Sequence, residues 1–286
     1  MCYNSLDKYR NQFSHFLNRE VYMKANKILA ILFVSVLLLV TVIPVQAITD
    51  GELDGNGHPY VGLMLFQATD DNWYTCSGTL LSPTVFLTAG HCTSDAIYPI
   101  YIWFDANPIS ADGYLYRSTA DAIGTPYAPS NYSFPSFDVG VVVLNKKVVM
   151  DEYGQLPTLN QLDVLKTNRG KQDVTFFTAV GYGMQKSFPT AAGWKDQIDY
   201  QRWVAYPKLL QINVPGFTGS YSLLLSNNTN TGGTCFGDSG GPNFLGDTNV
   251  IAGVTSFGIN GNCAGTGGVF RMDQEAVLEW VGGFLK

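Results

Sequence analysis

The sequence predicts an all-β protein closed by a single C-terminal helix. Three observations carry that prediction. Short runs of β-branched and aromatic residues recur through the chain, and clusters of Gly, Pro, Asn and Asp separate them. Helical spacing of apolar residues is seen only at the tail. In order, the predicted strands are Tyr60 to Phe66, Trp73 to Leu81, Val85 to Ala89, Ile100 to Phe104, Val139 to Leu144, Val174 to Val180, Leu209 to Val214 and Val250 to Phe257. Many short strands over such a length suit barrels or a sandwich better than a parallel α/β sheet. From Asp273, placed to act as an N-cap, Ala276, Val277, Trp280, Val281 and Phe284 fall on one helical face. The stretch from Asn145 to Asn168 has turn residues and no clear strand, so a crossing between two halves is expected there.

The first 47 residues do not belong to that fold. Ile28 to Ile43 form an uncharged, mostly apolar run of 16 residues, preceded by Lys24 and Lys27 and followed by Pro44-Val45-Gln46-Ala47. A basic start, a hydrophobic centre and a small-residue exit make the layout of a secretory signal. About 20 apolar residues are needed to span a bilayer, so no stable membrane anchor is expected once the signal is removed. Met23, followed by Lys24, makes an ordinary signal start, with residues 1–22 lying upstream of it. Residues 48–286 are then the folded domain. Taking the leader's five Lys/Arg and two Asp/Glu from totals of 17 and 23 leaves 12 and 21, a net charge of −9. Nucleic-acid binding is driven by basic patches on phosphate, so an acidic exported domain of this kind is not expected to bind it.

Four cysteines remain after the leader: Cys76, Cys92, Cys235 and Cys263. An even number in an oxidising compartment predicts two disulfides, with three pairings open. No Cys-x-x-Cys or His-x-x-x-His spacing supports a metal, and neither a metal nor another cofactor is expected.

Chemistry concentrates in Gly237-Asp238-Ser239-Gly240-Gly241-Pro242. Glycines around a serine allow a sharp turn and bring amide N–H groups close to a ligand. A serine hydroxyl beside convergent amides is half of an acyl-transfer site, and a glycine-rich turn is the plainer alternative. Between them stands the need for a base near neutral pKa, usually a histidine. Only His58 and His91 lie in the domain, and His91 follows a predicted strand in Thr88-Ala89-Gly90-His91-Cys92. Asp138, directly abutting the apolar run Val139 to Leu144, is placed to orient an imidazole.

These motifs, in the order His, Asp, Ser, resemble the chymotrypsin/trypsin-type serine proteases. Further matches are Cys76-Ser77-Gly78-Thr79-Leu80, Gly181-Tyr182-Gly183, Ser256-Phe257-Gly258 and Gly268-Val269-Phe270, which together cover almost the whole domain. The resemblance implies two six-stranded antiparallel β-barrels and a terminal helix, with the site in the cleft between the barrels. It implies His91 as general base, Asp138 as orienting carboxylate and Ser239 as nucleophile, with the amides of Gly237 and Ser239 as oxyanion hole. It also implies disulfides Cys76–Cys92 and Cys235–Cys263, and a substrate backbone paired to Ser256-Phe257-Gly258. The family usually carries Trp where Phe257 stands.

Two expectations concern processing and specificity. Family members free an Ile amine that pairs with the Asp before the nucleophile, here Asp238. Ile48-Thr49-Asp50-Gly51 resembles that start, with Asp50 replacing a glycine, and Ile48 directly follows the predicted signal cut. Signal removal by itself is therefore expected to free the activating amine. Trypsin-like members carry Asp where this chain has Gly233, and the other two wall positions resemble Gly258 and Gly268. Such a pocket favours large apolar or aromatic side chains over Arg or Lys. The expected product is a secreted, monomeric endopeptidase of bacterial style, acting on proteins or peptides and open to protein inhibitors. The alternative is a catalytically inactive homologue used as a binding protein.

Overall fold

Antiparallel strands make up most of the regular structure in residues 48–167, 175–185 and 198–286, which this computed structural model describes. The leader expected over 1–47, with Met23, lies outside them. A two-residue strand, β1 (Glu52–Leu53), comes first. The barrel follows with β2 (Val61–Ala68), β3 (Trp73–Ser82), β4 (Val85–Thr88), β5 (Ala96–Trp103), β6 (Ala122–Tyr127) and β7 (Gly140–Leu144). Its strands close in the order β2-β3-β4-β7-β6-β5. The register runs from Val61 opposite Thr79 to Gln67 opposite Trp73, and Leu63 opposite Trp103 completes the ring. All four residues of β4 are buried, because the barrel interior covers one face and neighbouring elements cover the other.

The second half contains β8 (Phe177–Gly181), β9 (Trp203–Ala205), β10 (Leu209–Val214), β11 (Gly219–Asn227), β12 (Pro242–Leu245), β13 (Ile251–Gly258) and β14 (Gly265–Arg271). With β1 they form an eight-stranded sheet, ordered β1-β9-β8-β12-β13-β14-β11-β10. The architecture is thus one closed barrel and one half-barrel, the latter lengthened by β1 at one edge and β10 at the other. Between β7 and β8 the described residues hold no strand, only a 3-10 helix at Gln161–Thr167 and single bridges from Gln155 to Val250 and from Phe176 to Lys208.

One apolar core spans both halves: Leu63, Phe86 and Val142 of the barrel share a cluster with Val180, Phe244 and Val254 of the sheet. A second cluster, with Leu162, Phe177 and Val269, fills the half-barrel. The terminal helix α1 (Glu275–Gly282) buries Val277 and Val281, as the apolar spacing predicts. Asp273 does not cap it. Gln274 is the N-cap residue, and the buried Asp273 carboxylate instead accepts Arg271 Nε (3.0 Å), Arg271 Nη2 (2.9 Å) and the Leu162 amide (2.8 Å). A buried arginine outcompetes a helix end for that carboxylate, since an unpaired buried charge costs far more than a missing cap.

A second buried arginine ties the halves together. Arg202, just before β9, donates to Asp54 Oδ2 (2.8 Å), to the carbonyls of Val61 (3.1 Å) and Phe104 (3.0 Å) in the barrel, and to Tyr182 Oη (3.1 Å). His58 completes this cluster through its backbone N–H (2.9 Å) and Nδ1 (2.5 Å) on Asp54, with its ring stacked on Phe244 at 5.3 Å. Burial of Arg202 is compensated because every face of the guanidinium meets an acceptor.

Candidate active site

His91 stands on a 3-10 turn, Gly90–Cys92, at the exit of β4. The Cys76–Cys92 disulfide fastens that turn to β3. Asp138 lies at the foot of β7, fully buried, and holds His91 three ways. Its Oδ1 accepts the His91 backbone N–H at 2.9 Å, and Nδ1 lies 2.9 Å from Oδ2 and 3.1 Å from Oδ1. The Ser256 hydroxyl, from β13 in the other half, donates to the same Oδ2. With Nδ1 held against this carboxylate, the other ring nitrogen, Nε2, is the one left to face away from Asp138.

Ser239 is carried on the loop between Cys235 and β12, and two glycines make the loop's path feasible. Gly237 has φ +94° and Gly240 φ +78°, and a Cβ on Gly240 would lie 2.0 Å from Thr88 Oγ1. Ser77 pins this loop to the barrel. Its N–H donates to the Ser239 carbonyl (2.8 Å) and its hydroxyl to the Gly237 carbonyl (2.9 Å), while Oγ accepts the Tyr182 amide (3.0 Å). The amides of Gly237 and Ser239 meet no acceptor among the described residues, so both are available for an oxyanion. His91 and Ser239 line the same cleft on both of its arms.

Asp238 points away from the cleft. It is completely buried, and its two oxygens accept the amides of Gly183 (2.8 Å) and Cys235 (2.8 Å). No cation faces it among the described residues, and desolvation pushes its carboxyl up to about 7 despite those two donors. Ile48 is also buried, against Trp203 and Ala205. Trp203 pairs with Gly181, where an added Cβ would lie 2.2 Å from Asp238 Oδ1. The strand pair β8–β9 therefore carries Ile48 and Asp238 to one neighbourhood.

One cleft arm, of about 680 Å³, is lined by Ser256, Phe257 and Gly258 together with Thr234 and Ile259, and no Asp, Glu, Lys or Arg is among the described residues that line it. Of the expected wall glycines, only Gly258 lines it. Gly268 lies under the Phe257 ring, whose atoms would be 2.3–2.4 Å from an added Cβ. Gly233 backs onto the Asn227 side chain and donates its amide to the Thr49 carbonyl (3.1 Å). The second disulfide, Cys235–Cys263, joins the nucleophile loop to the rim of this arm. Sequence reasoning missed the rim phenylalanines. Phe134 sets its ring edge-on to His91 at 5.8 Å, and Phe217 stands edge-on to Phe257 at 5.4 Å. Both sit in turn-rich loops, where the sequence offers no periodicity to mark them.

This fold, with a buried Asp–His pair facing a serine loop, defines the chymotrypsin-like serine-protease class. A solved structure of HL collagenase aligns over 82% of this chain and 97% of its own, with a TM-score of 0.64 at 20% identity. A scabies mite inactivated protease paralogue aligns over 82% and 98%, with a TM-score of 0.57 at 18% identity. The sequence profile for Trypsin matches residues 52–281, and the chain belongs to the trypsin family. Chymotrypsin-like elastase family member 1 of Felis catus is 28% identical over 189 residues, covering 65% of this chain and 69% of its own. Serine protease 1 of Drosophila melanogaster is 26% identical over 235 residues, covering 78% and 79%. These relatives are animal proteins and lend no support to a bacterial source.

Proposed function

We propose that the protein is a secreted serine endopeptidase. His91 Nε2 takes the Ser239 hydroxyl proton as Oγ attacks the scissile carbonyl carbon. The C–O bond forms as the carbonyl π-pair moves onto oxygen, and the Gly237 and Ser239 amides receive that oxyanion. His91 then gives its proton to the leaving amine, the C–N bond breaks, and water releases the acyl group by the same steps. The observation that carries this reading is the fully buried Asp138 carboxylate on His91 Nδ1, in a cleft that also holds Ser239. Labelling by a fluorophosphonate tests it: label on Ser239 that disappears in Ser239→Ala supports the role, and an unlabelled folded protein refutes it.

The acyl half of the substrate pairs with Ser256-Phe257-Gly258, adding a strand to β13. With no Asp, Glu, Lys or Arg among the described residues lining that arm, the residue before the cut is large and apolar or aromatic, a preference that the elastase relatives fit only loosely. Peptides differing in Phe, Ala or Arg at that position decide the matter, and Arg preference refutes it. Cutting before Ile48 frees an amine for Asp238, which completes the oxyanion loop, and N-terminal sequencing of the secreted protein should read Ile-Thr-Asp-Gly. The two disulfides suit an extracellular location. The second reading is an inactive binding protein, prompted by likeness to the inactivated mite paralogue. The full set of His91, Asp138 and Ser239 favours the enzyme.

A further inference from the structure

The two arms of the cleft differ in charge. Ser256 to Gly258 line the first arm, so the second takes the residues that follow the scissile bond. This second arm, of about 710 Å³, is lined by Asp70, Asp95, Trp73 and Tyr74 along with His91 and Ser239. No Lys or Arg is among the described residues that line it. The β2–β3 hairpin tip supplies Asp70. Its Oδ2 accepts the Tyr74 hydroxyl (2.8 Å) and Asn72 Nδ2 (2.9 Å), while Oδ1 accepts the Asn72 amide (3.0 Å). The hydrogen bonds from Asn72 and Tyr74 hold its carboxyl below the usual range, so it is charged through the neutral pH range. Asp95 follows His91 by four residues, and its carbonyl accepts the Thr69 amide (3.0 Å), fixing the hairpin tip beside the histidine turn.

Spacing along β3 sets the reach of these groups. Ser77 is hydrogen-bonded to Ser239, and Tyr74 lies three residues further up the strand, or ~10 Å at ~3.4 Å per residue. An extended peptide leaving Ser239 covers that distance in about three residues. Among the described residues, Arg117 approaches this arm from outside, its guanidinium 4.6 Å over the Trp73 ring, and it is not one of the residues lining it.

We propose that this arm selects Lys or Arg at the second or third position after the cut, through Asp70 and Asp95, with the Tyr74 ring beside the alkyl stem. The substrate class is then a chain with an apolar residue before the cleaved bond and a cation shortly after it. The proposal rests on the endopeptidase reading for the placement of the cut, yet recognition can be measured apart from hydrolysis.

The test uses peptides identical except for Lys, Ala or Glu at those two positions. Cleavage is followed with the active chain and binding, by fluorescence anisotropy, with Ser239→Ala. A Lys-over-Glu preference of ~10-fold or more is expected in both, shrinking as salt rises from 50 to 500 mM. The pair Asp70→Asn and Asp95→Asn should bring the ratio to about one, whereas Asp247→Asn, an exposed carboxylate outside the cleft, should retain it. A ratio near one in the unaltered arm, or one that survives both Asn substitutions, overturns the proposal. If Ser239 resists the fluorophosphonate while Ser239→Ala binds the Lys peptide preferentially, the catalytic reading fails and the recognition stands.

Discussion

Asp238 is a fully buried carboxylate, and under the proposed processing its charge would depend on the cut before Ile48. With only backbone donors facing it, desolvation raises its carboxyl from 3.8 to about 7, and two backbone amides do not offset that cost. Between those pH values the native chain binds a proton that the unfolded chain has released. Stability therefore falls as pH rises from about 4 to about 7, by up to about 4 kcal/mol at 1.36 kcal/mol per pKa unit. If a cut before Ile48 brings its amine to Asp238, as proposed, the added cation should lower that pKa and reverse the slope. Urea unfolding of the uncut Ser239→Ala chain, measured from pH 4 to 8 with and without Asp238→Asn, isolates the contribution. The difference between the two chains should shrink in Asp238's disfavour with rising pH. A difference that is flat across the window, or that moves the other way before cutting, refutes the reasoning.

Asp138→Asn should lower turnover about 10⁴-fold, a barrier increase of about 5.5 kcal/mol, the size known for this triad position; stopped assays with a Phe peptide would show it. Arg202→Ala leaves the buried Asp54 without its guanidinium partner and should cost about 3–5 kcal/mol in denaturant unfolding. Replacing Cys235 and Cys263 with Ser opens a loop spanning 28 residues, worth about 3–4 kcal/mol in chain entropy, read as a lower midpoint in urea. Gly240→Ala forces a Cβ to within 2.0 Å of Thr88 Oγ1 at a positive φ, so fluorophosphonate labelling of Ser239 should fall before thermal stability does.

The strands most legible in the sequence were those buried on both faces or strongly β-branched, such as β4 and β7. Others hid for identifiable reasons. β14 reads Gly265-Thr-Gly-Gly-Val-Phe-Arg271, a glycine-rich run of low strand propensity, in which the Phe257 ring fills the space above Gly268 and Gly265 takes φ +84°. β6 carries Pro126 near its end, and β12 opens on Pro242, so both look like turns until their partners are known. The motif residues of the site were readable because backbone constraints fix them locally. Ser256 on Asp138, Arg202 on Asp54 and the two carboxylates of the second arm were not, since 118, 148 and 25 residues separate the members of each pair. No local pattern encodes a meeting at that range.

Ser77 lines neither arm of the cleft, yet it sits where the barrel meets the Ser239 loop, bonded to Ser239, Gly237 and Tyr182 at once. His91 and Asp138 come from one half of the chain and Ser239 from the other, so under the proposed mechanism neither half alone would hold the full set, and cutting would wait until the last contact between the halves had formed.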